Sequence, residues 1–276
     1  KDYGAEPALF DLLALQGGTV AALADVELPA GHVGQIRFVL DAGEATTGSG
    51  APTTSGCYLV LADGTEVPLF VPSGTSSGFK AVGAFDVPLN GTVEITADFD
   101  VRKSLVKRGA LDSYILKPTI RLVVNDEAGG LNVTVTGGDA SQTLVVYAYE
   151  DGTYADTEAE EPASEADDPQ FSGAVTSAAA GAGGAFALRF LAAGTYDLVV
   201  AGYDADGALV EVAGVYQDAQ VVSNANTAVA IDLTAAPTAN VVLSLTDSPV
   251  LDADVVKAVV AFTAIEYSTS SDGAEE

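Results

Sequence analysis

From about residue 34 onward the chain is written in short runs of Val, Leu, Ile, Phe and Tyr, each cut off by Gly, Asp, Asn or Pro. β-Branched and aromatic residues suit a pleated, half-buried surface, and the interrupting residues supply tight turns. Runs this short cannot make helices of useful length, so they predict strands. Gly56-Cys-Tyr-Leu-Val-Leu61 shows the pattern, followed by the hairpin signal Ala62-Asp-Gly64 and a returning strand over 66–71. Further strands are expected at 34–40, 79–87, 92–99 and 114–124, and only 9–15, 20–24 and 102–107 offer helical turns. The expected class is all-β, with two β-sandwich domains. A hydrophobic content of 48% and a mean hydropathy of +0.29 exclude a disordered chain despite its charge.

A chain of 276 residues has room for two cores. Residues 1–124 read as the first domain, 125–130 (Asn-Asp-Glu-Ala-Gly-Gly) as a linker, and 131–235 as the second. In the second, strands are expected at 131–135, 144–149, 173–176, 185–190, 195–203, 209–215 and 228–233. Residues 150–170 are crowded with Asp and Glu and broken by Pro162 and Pro169, which predicts a mobile acidic loop. Residues 236–276 hold a strand over 240–246, a turn at Asp247-Ser-Pro249, a second strand over 255–267, and a polar tail. Two strands alone cannot bury a core. This ribbon, with Val241, Leu243 and Leu245 on its first strand and Val256, Val260 and Phe262 on its second, is expected to complete a first domain, of its own chain or of a neighbour.

A formal net charge of −28 excludes nucleic acid as a partner, because such binding rests on neutralising phosphates. No segment approaches the 18 apolar residues of a membrane span. With Lys1 first and no signal peptide, the chain is expected to be processed or a fragment. One cysteine, Cys57, excludes an intrachain disulfide and reads as a buried strand residue. One histidine, His32, sits in a turn and offers no Ser-His-Asp set, so no enzyme is expected. Cys/His metal sites are excluded for the same reason, and no cofactor is expected. Calcium takes oxygen ligands; Asp204, Asp206, Asp247, Asp252 and Asp254 are the candidates, although such acids more often form turns. Six of the eleven basic residues, Arg102, Lys103, Lys107, Arg108, Lys117 and Arg121, fall in one stretch. Arg102, Lys103, Lys107 and Arg108 could dock an acidic surface such as the 150–168 loop of a neighbouring copy; the alternative is pairing within their own domain. Asn90-Gly-Thr92 is a candidate glycan acceptor in a turn, and Asn132-Val-Thr134 a second sequon within a strand.

Several segments, in the right order, carry a family resemblance. They are Phe10-Asp-Leu-Leu-Ala-Leu-Gln16, Leu28-Pro-Ala-Gly31 with Gln35-Ile-Arg37, and Val67-Pro-Leu-Phe-Val-Pro-Ser-Gly74. Asp98-Phe-Asp-Val-Arg-Lys-Ser-Leu-Val106 and Tyr114-Ile-Leu-Lys-Pro-Thr-Ile-Arg121 continue it. Together they resemble the domain of unknown function numbered 4382, found in prokaryotic exported proteins and lipoproteins, which implies an exported protein and no activity. The opening strands of that family resemble Leu243-Ser-Leu-Thr-Asp-Ser-Pro-Val250, Asp252-Ala-Asp254 and 255–267, so the chain reads as circularly permuted. The second block is similar to transthyretin-like and collagen-adhesin B-type (carboxypeptidase regulatory-like) sandwiches, through Gly183-Gly-Ala-Phe-Ala-Leu188 and Leu191-Ala-Ala-Gly-Thr-Tyr-Asp-Leu-Val-Val200. Some of these carry Lys–Asn cross-links; residues 125–238 contain no Lys, which excludes one here.

The leading expectation is a structural subunit of an extracellular filament, pilus-like fibre or biofilm matrix, polymerised head to tail by strand donation. Copies of itself are then the partners, with surface glycans as further candidates. The alternatives are a monomeric cell-surface adhesin or binding module that completes its own first domain, and one unit of a tandem array.

Overall fold

The computed structural model describes residues 8–40, 56–61, 63–71, 79–107, 114–163 and 168–234. The chain divides into two units, Lys1–Ala236 and Pro237–Glu276. The whole terminal ribbon, with Val241, Leu243, Leu245, Val256, Val260, Phe262, Asp247, Asp252 and Asp254, lies outside the described residues, as does Arg108.

The described chain is almost entirely β. Its early strands are β1 (Gly31–Val33), β2 (Arg37–Phe38), β3 (Tyr58–Val60), β4 (Glu66–Phe70), β5 (Phe79–Lys80), β6 (Phe85–Val87) and β7 (Ile95–Phe99). One helical turn, α1 (Val101–Ser104), leads into β8 (Leu105–Lys107), β9 (Tyr114–Leu116) and β10 (Ile120–Val124). The later strands are β11 (Ala128–Thr136), β12 (Thr143–Glu150), β13 (Thr176–Ala179), β14 (Ala185–Ala192), β15 (Gly194–Tyr203), β16 (Leu209–Val221) and β17 (Asn226–Asp232).

Strands β11–β17 make a sandwich of a three-stranded sheet, β14-β11-β17, against a four-stranded one, β13-β12-β15-β16. Period-two alternation builds the three-stranded layer. Leu131, Val133 and Val135 of β11 point into the core, while Asn132, Thr134 and Thr136 face water. The four-stranded layer differs, since β12 and β15 are apolar on both faces. Val146, Ala148, Leu198 and Val200 enter the sandwich core; Val145, Tyr147, Tyr149, Val199 and Ala201 face the other way. That second face needs a cover, and the chain between β12 and β13 supplies it: Tyr154, Ala159, Phe171 and Ala174 pack there. The acidic segment read as a mobile loop is, where described, a lid on this sheet. Phe171 and Ala174 are fully buried within it.

Residues 125–130, read as a linker, are largely structural. Asn125–Glu127 form a 3₁₀ turn, and β11 begins at Ala128. Only glycine fits the next two positions, because a Cβ on Gly129 would lie 2.1 Å from the Val222 carbonyl oxygen, and one on Gly130 2.7 Å from that of Leu188. Asp197 of β15 is 3% exposed, and its carboxylate accepts the backbone N–H groups of Gly152 and Asp218. It thereby holds the β12 turn and the bulged β16, where Asp218 takes φ 62°.

The first block has two smaller layers. One is the sheet β3-β4-β9-β8. The other follows from three partial ladders. Residues 31–38 run antiparallel to 79–87 through Gly31↔Val87, Val33↔Phe85, a hydrogen bond from Ala81 N to Ile36 O, and Arg37↔Lys80. Val82 then bridges to Arg121 of β10, and β10 pairs along its length with β7. Leu69, Val71 and Leu116 of the first layer meet Leu40, Phe79 and Phe99 of the second. Among the described residues this core is thin: the largest fully buried side chains, Tyr149, Phe171, Leu131, Leu188, Leu191 and Leu198, all belong to the second block. Of the expected helical turns, 9–15 holds a 3₁₀ turn at Leu12–Ala14 capped by Asp11, 20–24 holds none, and 102–107 splits into α1 and β8.

Leu198 is fully buried between the two sheets of the second block. Leu198→Ala is expected to destabilise that sandwich by about 2–5 kcal/mol. Urea unfolding followed by far-UV circular dichroism measures the loss.

Candidate functional site

Two residues of the basic stretch, Arg102 and Lys103, reach the segment that follows the acidic run within the same chain. Asp100 caps α1, its Oδ1 accepting the Lys103 backbone N–H at 3.3 Å. Ser104, fully buried, donates its hydroxyl to the Asp100 carbonyl, while its Oγ accepts from Thr119 N at 2.9 Å. The turn is thus pinned to the β9–β10 connection, and Arg102 and Lys103 project from it with Asp100 beside both, at 3.3 and 3.5 Å.

Both cations engage the lid of the second block. Arg102 Nη1 donates to the Phe171 carbonyl at 3.0 Å, and Lys103 Nζ to that of Ala174 at 2.8 Å. The guanidinium carbon lies 5.0 Å from the centroid of the Tyr147 ring, which stacks on Phe171 at 4.3 Å. Tyr147 and Tyr203 share a hydrogen bond between hydroxyls at 2.6 Å. The lid is fastened from beneath by Glu158, whose Oε2 accepts from the Tyr149 hydroxyl at 2.8 Å and from Gly173 N at 2.7 Å. Phe171 takes φ 56°, a left-handed conformation that turns the chain here. Beside the clamp lies a cleft of about 380 Å³ lined by Lys103, Thr119, Glu158, Asp168, Pro169, Ser172 and Gly173.

Other candidates fall elsewhere. Lys107 ends β8, exposed, and Arg121 pairs with Asp98 at 2.6 Å within the first block. Asp204 spends its carboxylate on its own turn, accepting from Asp206 N at 3.0 Å and Ala208 N at 2.8 Å. Asn90 is exposed in a turn with φ 55°; Asn132 accepts from Arg189 Nη2 at 2.6 Å. His32 is exposed, its Nδ1 3.1 Å from an oxygen of Asp86. Cys57 is half-buried against the first core. Among the described residues no helix is long and apolar enough to cross a membrane, and no three His, Cys, Asp or Glu residues gather as a metal site.

The sequence reading missed Tyr147, Phe171, Glu158 and Tyr203. One signal was available: Phe171 is the only aromatic residue between Tyr154 and Phe186, so it had to anchor whatever that segment does.

Burial is the main cause that raises the Tyr149 and Tyr203 hydroxyls well above the usual tyrosine range, each helped by its hydrogen-bond partner, Glu158 or Tyr147. Tyr154 and Tyr196 are raised in the same direction, again chiefly by burial. The folded state therefore holds these protons more tightly than the unfolded chain. Their contribution is complete below the unfolded value near 10 and is lost as pH rises above it. In alkaline titration the tyrosinate absorbance of these four residues is expected to rise together with the loss of circular dichroism, not before it. Arg102→Ala should loosen the lid by roughly 2 kcal/mol, accelerating amide exchange across residues 171–174 about thirtyfold. Hydrogen-exchange mass spectrometry reads that change.

No curated protein matches the chain. Among solved structures, the crystal structure of GBS52, the minor pilin in the gram-positive pathogen Streptococcus agalactiae, aligns at 14% identity over 58% of this chain. The alignment spans 62% of that chain's length, with a TM-score of 0.25, a superposition too loose to bear on the fold. Residues 1–118 match the family described as a domain of unknown function, DUF4382, over the same block whose segments resemble it.

Proposed function

We propose that this protein is a structural subunit of an extracellular or cell-surface filament rather than a catalyst, joined head to tail when the ribbon at 239–267 completes the first block of a neighbour. One observation carries the reading. The first block has a thin core and exposes apolar side chains freely: Leu9 is 68% exposed, Val39 69%, Val82 72% and Leu89 80%. Among its described residues a block in that condition is short of partner strands, and the sequence at 239–267 reads as two apolar strands in search of a sheet.

Donation between copies is a heterologous contact, which propagates unless its rotation closes a ring. The clamp suits such a role, because a chain that bears load end to end gains from a fixed angle between its two blocks. A charge of −28 keeps subunits from sticking nonspecifically, leaving strand pairing as the specific contact. Self-completion within one chain is the competing outcome, and would make a monomeric surface module.

Deleting residues 239–276 is expected to leave a soluble monomer with a lowered unfolding midpoint, while the full chain assembles. Light scattering and negative-stain electron microscopy distinguish the two. Fibres from the truncated chain would overturn strand donation.

A further inference from the structure

Residues 19–29 form neither helix, turn nor ladder, yet the run is held at both ends. Before it, Gly18 packs so closely on Arg189 of β14 that a Cβ there would lie 2.8 Å from the arginine Cγ; after it, Gly31 stands opposite Val87 of β6. Resting on the strand-donation reading, we propose that this run is where a neighbour's ribbon docks, and that it becomes a strand when the ribbon lies along it.

Patterning is the first argument. Val20, Ala22, Ala24, Val26 and Leu28 alternate with Ala21, Leu23, Asp25 and Glu27. Every even position is apolar and the later odd ones are acids, which is the pattern of a strand with one covered face. In the structure that face has no cover. Every residue of 19–29 except Ala21 is exposed, with Val20, Leu23, Val26 and Leu28 between 40% and 60%. The run is also longer than any strand of the first block, where β4, β7 and β10 have 5 residues each. The main-chain hydrogen bonds open to an added strand grow in number with that length.

Exposure separates this region from the rest of the surface. Seven of the 17 large apolar side chains exposed among the described residues lie at 9–28, more than in any other stretch of similar length. Six others are spread over 39–89 rather than gathered in one run, and four lie at 210–222, on or just after β16. That strand is already paired with β15, and register irregularities interrupt the ladder at three places. Bulges of this kind keep an edge from accepting another strand.

The occupant follows by elimination. Apart from Tyr3 and Leu111, every Val, Leu, Ile, Phe and Tyr outside the described residues lies at 241–267, and the chain has no Met or Trp. The ribbon is therefore the one remaining segment of this protein with enough apolar side chains to cover the run. Its strand at 255–267, with Val256, Ala258, Val260 and Phe262 at alternate positions, is long enough to span 19–29. A run tied at both ends also loses less freedom on pairing than a loose one.

The test uses the full chain throughout. Hydrogen-exchange mass spectrometry is expected to show 19–29 exchanging at least about tenfold more slowly in the wild type than in Val256→Asp/Val260→Asp, with β12 and β15 unchanged. Val20→Asp/Val26→Asp puts charge on the face to be covered and is expected to abolish fibres in negative-stain electron microscopy. Val210→Asp/Val222→Asp, at comparably exposed positions, is expected to keep them. Fibres that survive Val20→Asp/Val26→Asp but not Val256→Asp/Val260→Asp would overturn this docking run and leave strand donation standing. Slow exchange at 19–29 in a wild-type chain that light scattering finds monomeric would support the run and overturn donation between copies. Slow exchange that persists in Val256→Asp/Val260→Asp means a different occupant, and fast exchange in wild-type fibres means none; either result sinks the proposal.

Discussion

A β-sheet must cover each apolar face that it presents, and this requirement organises the whole molecule. In the second block the four-stranded sheet is apolar on both sides. One face is met by the three-stranded sheet, through Leu131, Leu188 and Leu191 against Leu198 and Val200. The other would expose Tyr147, Tyr149 and Val199 to water, so the 150–175 excursion folds across it and buries Phe171 among them. A segment rich in solvent-seeking acids is thereby held down by Phe171, Ala174, Tyr154 and Ala159 and by the carboxylate of Glu158.

The lid in turn governs how the two blocks meet. Its turn leaves the Phe171 and Ala174 carbonyls pointing outward, and Arg102 and Lys103 satisfy them from α1. Half-buried cations bonded to neutral carbonyls, with Asp100 alongside, form a contact that salt screens less than an exposed ion pair. A second contact lies on the other sheet, where a Cβ on Gly18 would come within 2.8 Å of the Arg189 side chain on β14. Two separated contacts resist rotation better than one, and residues 1–236 form one compact unit.

The first block answers the covering requirement only in part. Its layers touch through a small cluster, and several apolar side chains stay in water at a cost of roughly 25 cal/mol for each Å² left uncovered. A domain in that state gains from added strands, and the proposed strand donation would draw on that gain. The second block is better packed by comparison.

Much of this was legible in the residues. Short Val-rich runs and Gly, Asp and Asn turns predict the all-β class, and the order of segments over 8–124 already resembled the family that residues 1–118 match. Strand positions are local, because period two and turn chemistry act between near neighbours. The runs at 144–149 and 198–201 are apolar at successive positions, a signal of burial on both faces that the strand assignments left unused, and nothing local says what covers them. What covers a face depends on contacts between residues far apart in the chain, such as Arg102 with Phe171 or Tyr147 with Tyr203. Composition pointed the wrong way at two places: acids at 150–170 read as a mobile loop, and Gly129-Gly130 as a linker. The sequence alone determined the all-β class and where most of the described strands lie, because turn chemistry and period two act between neighbours. Only the tertiary structure decided that Arg102 and Lys103 clamp their own chain, because that follows from the closeness of residues the sequence keeps about seventy positions apart.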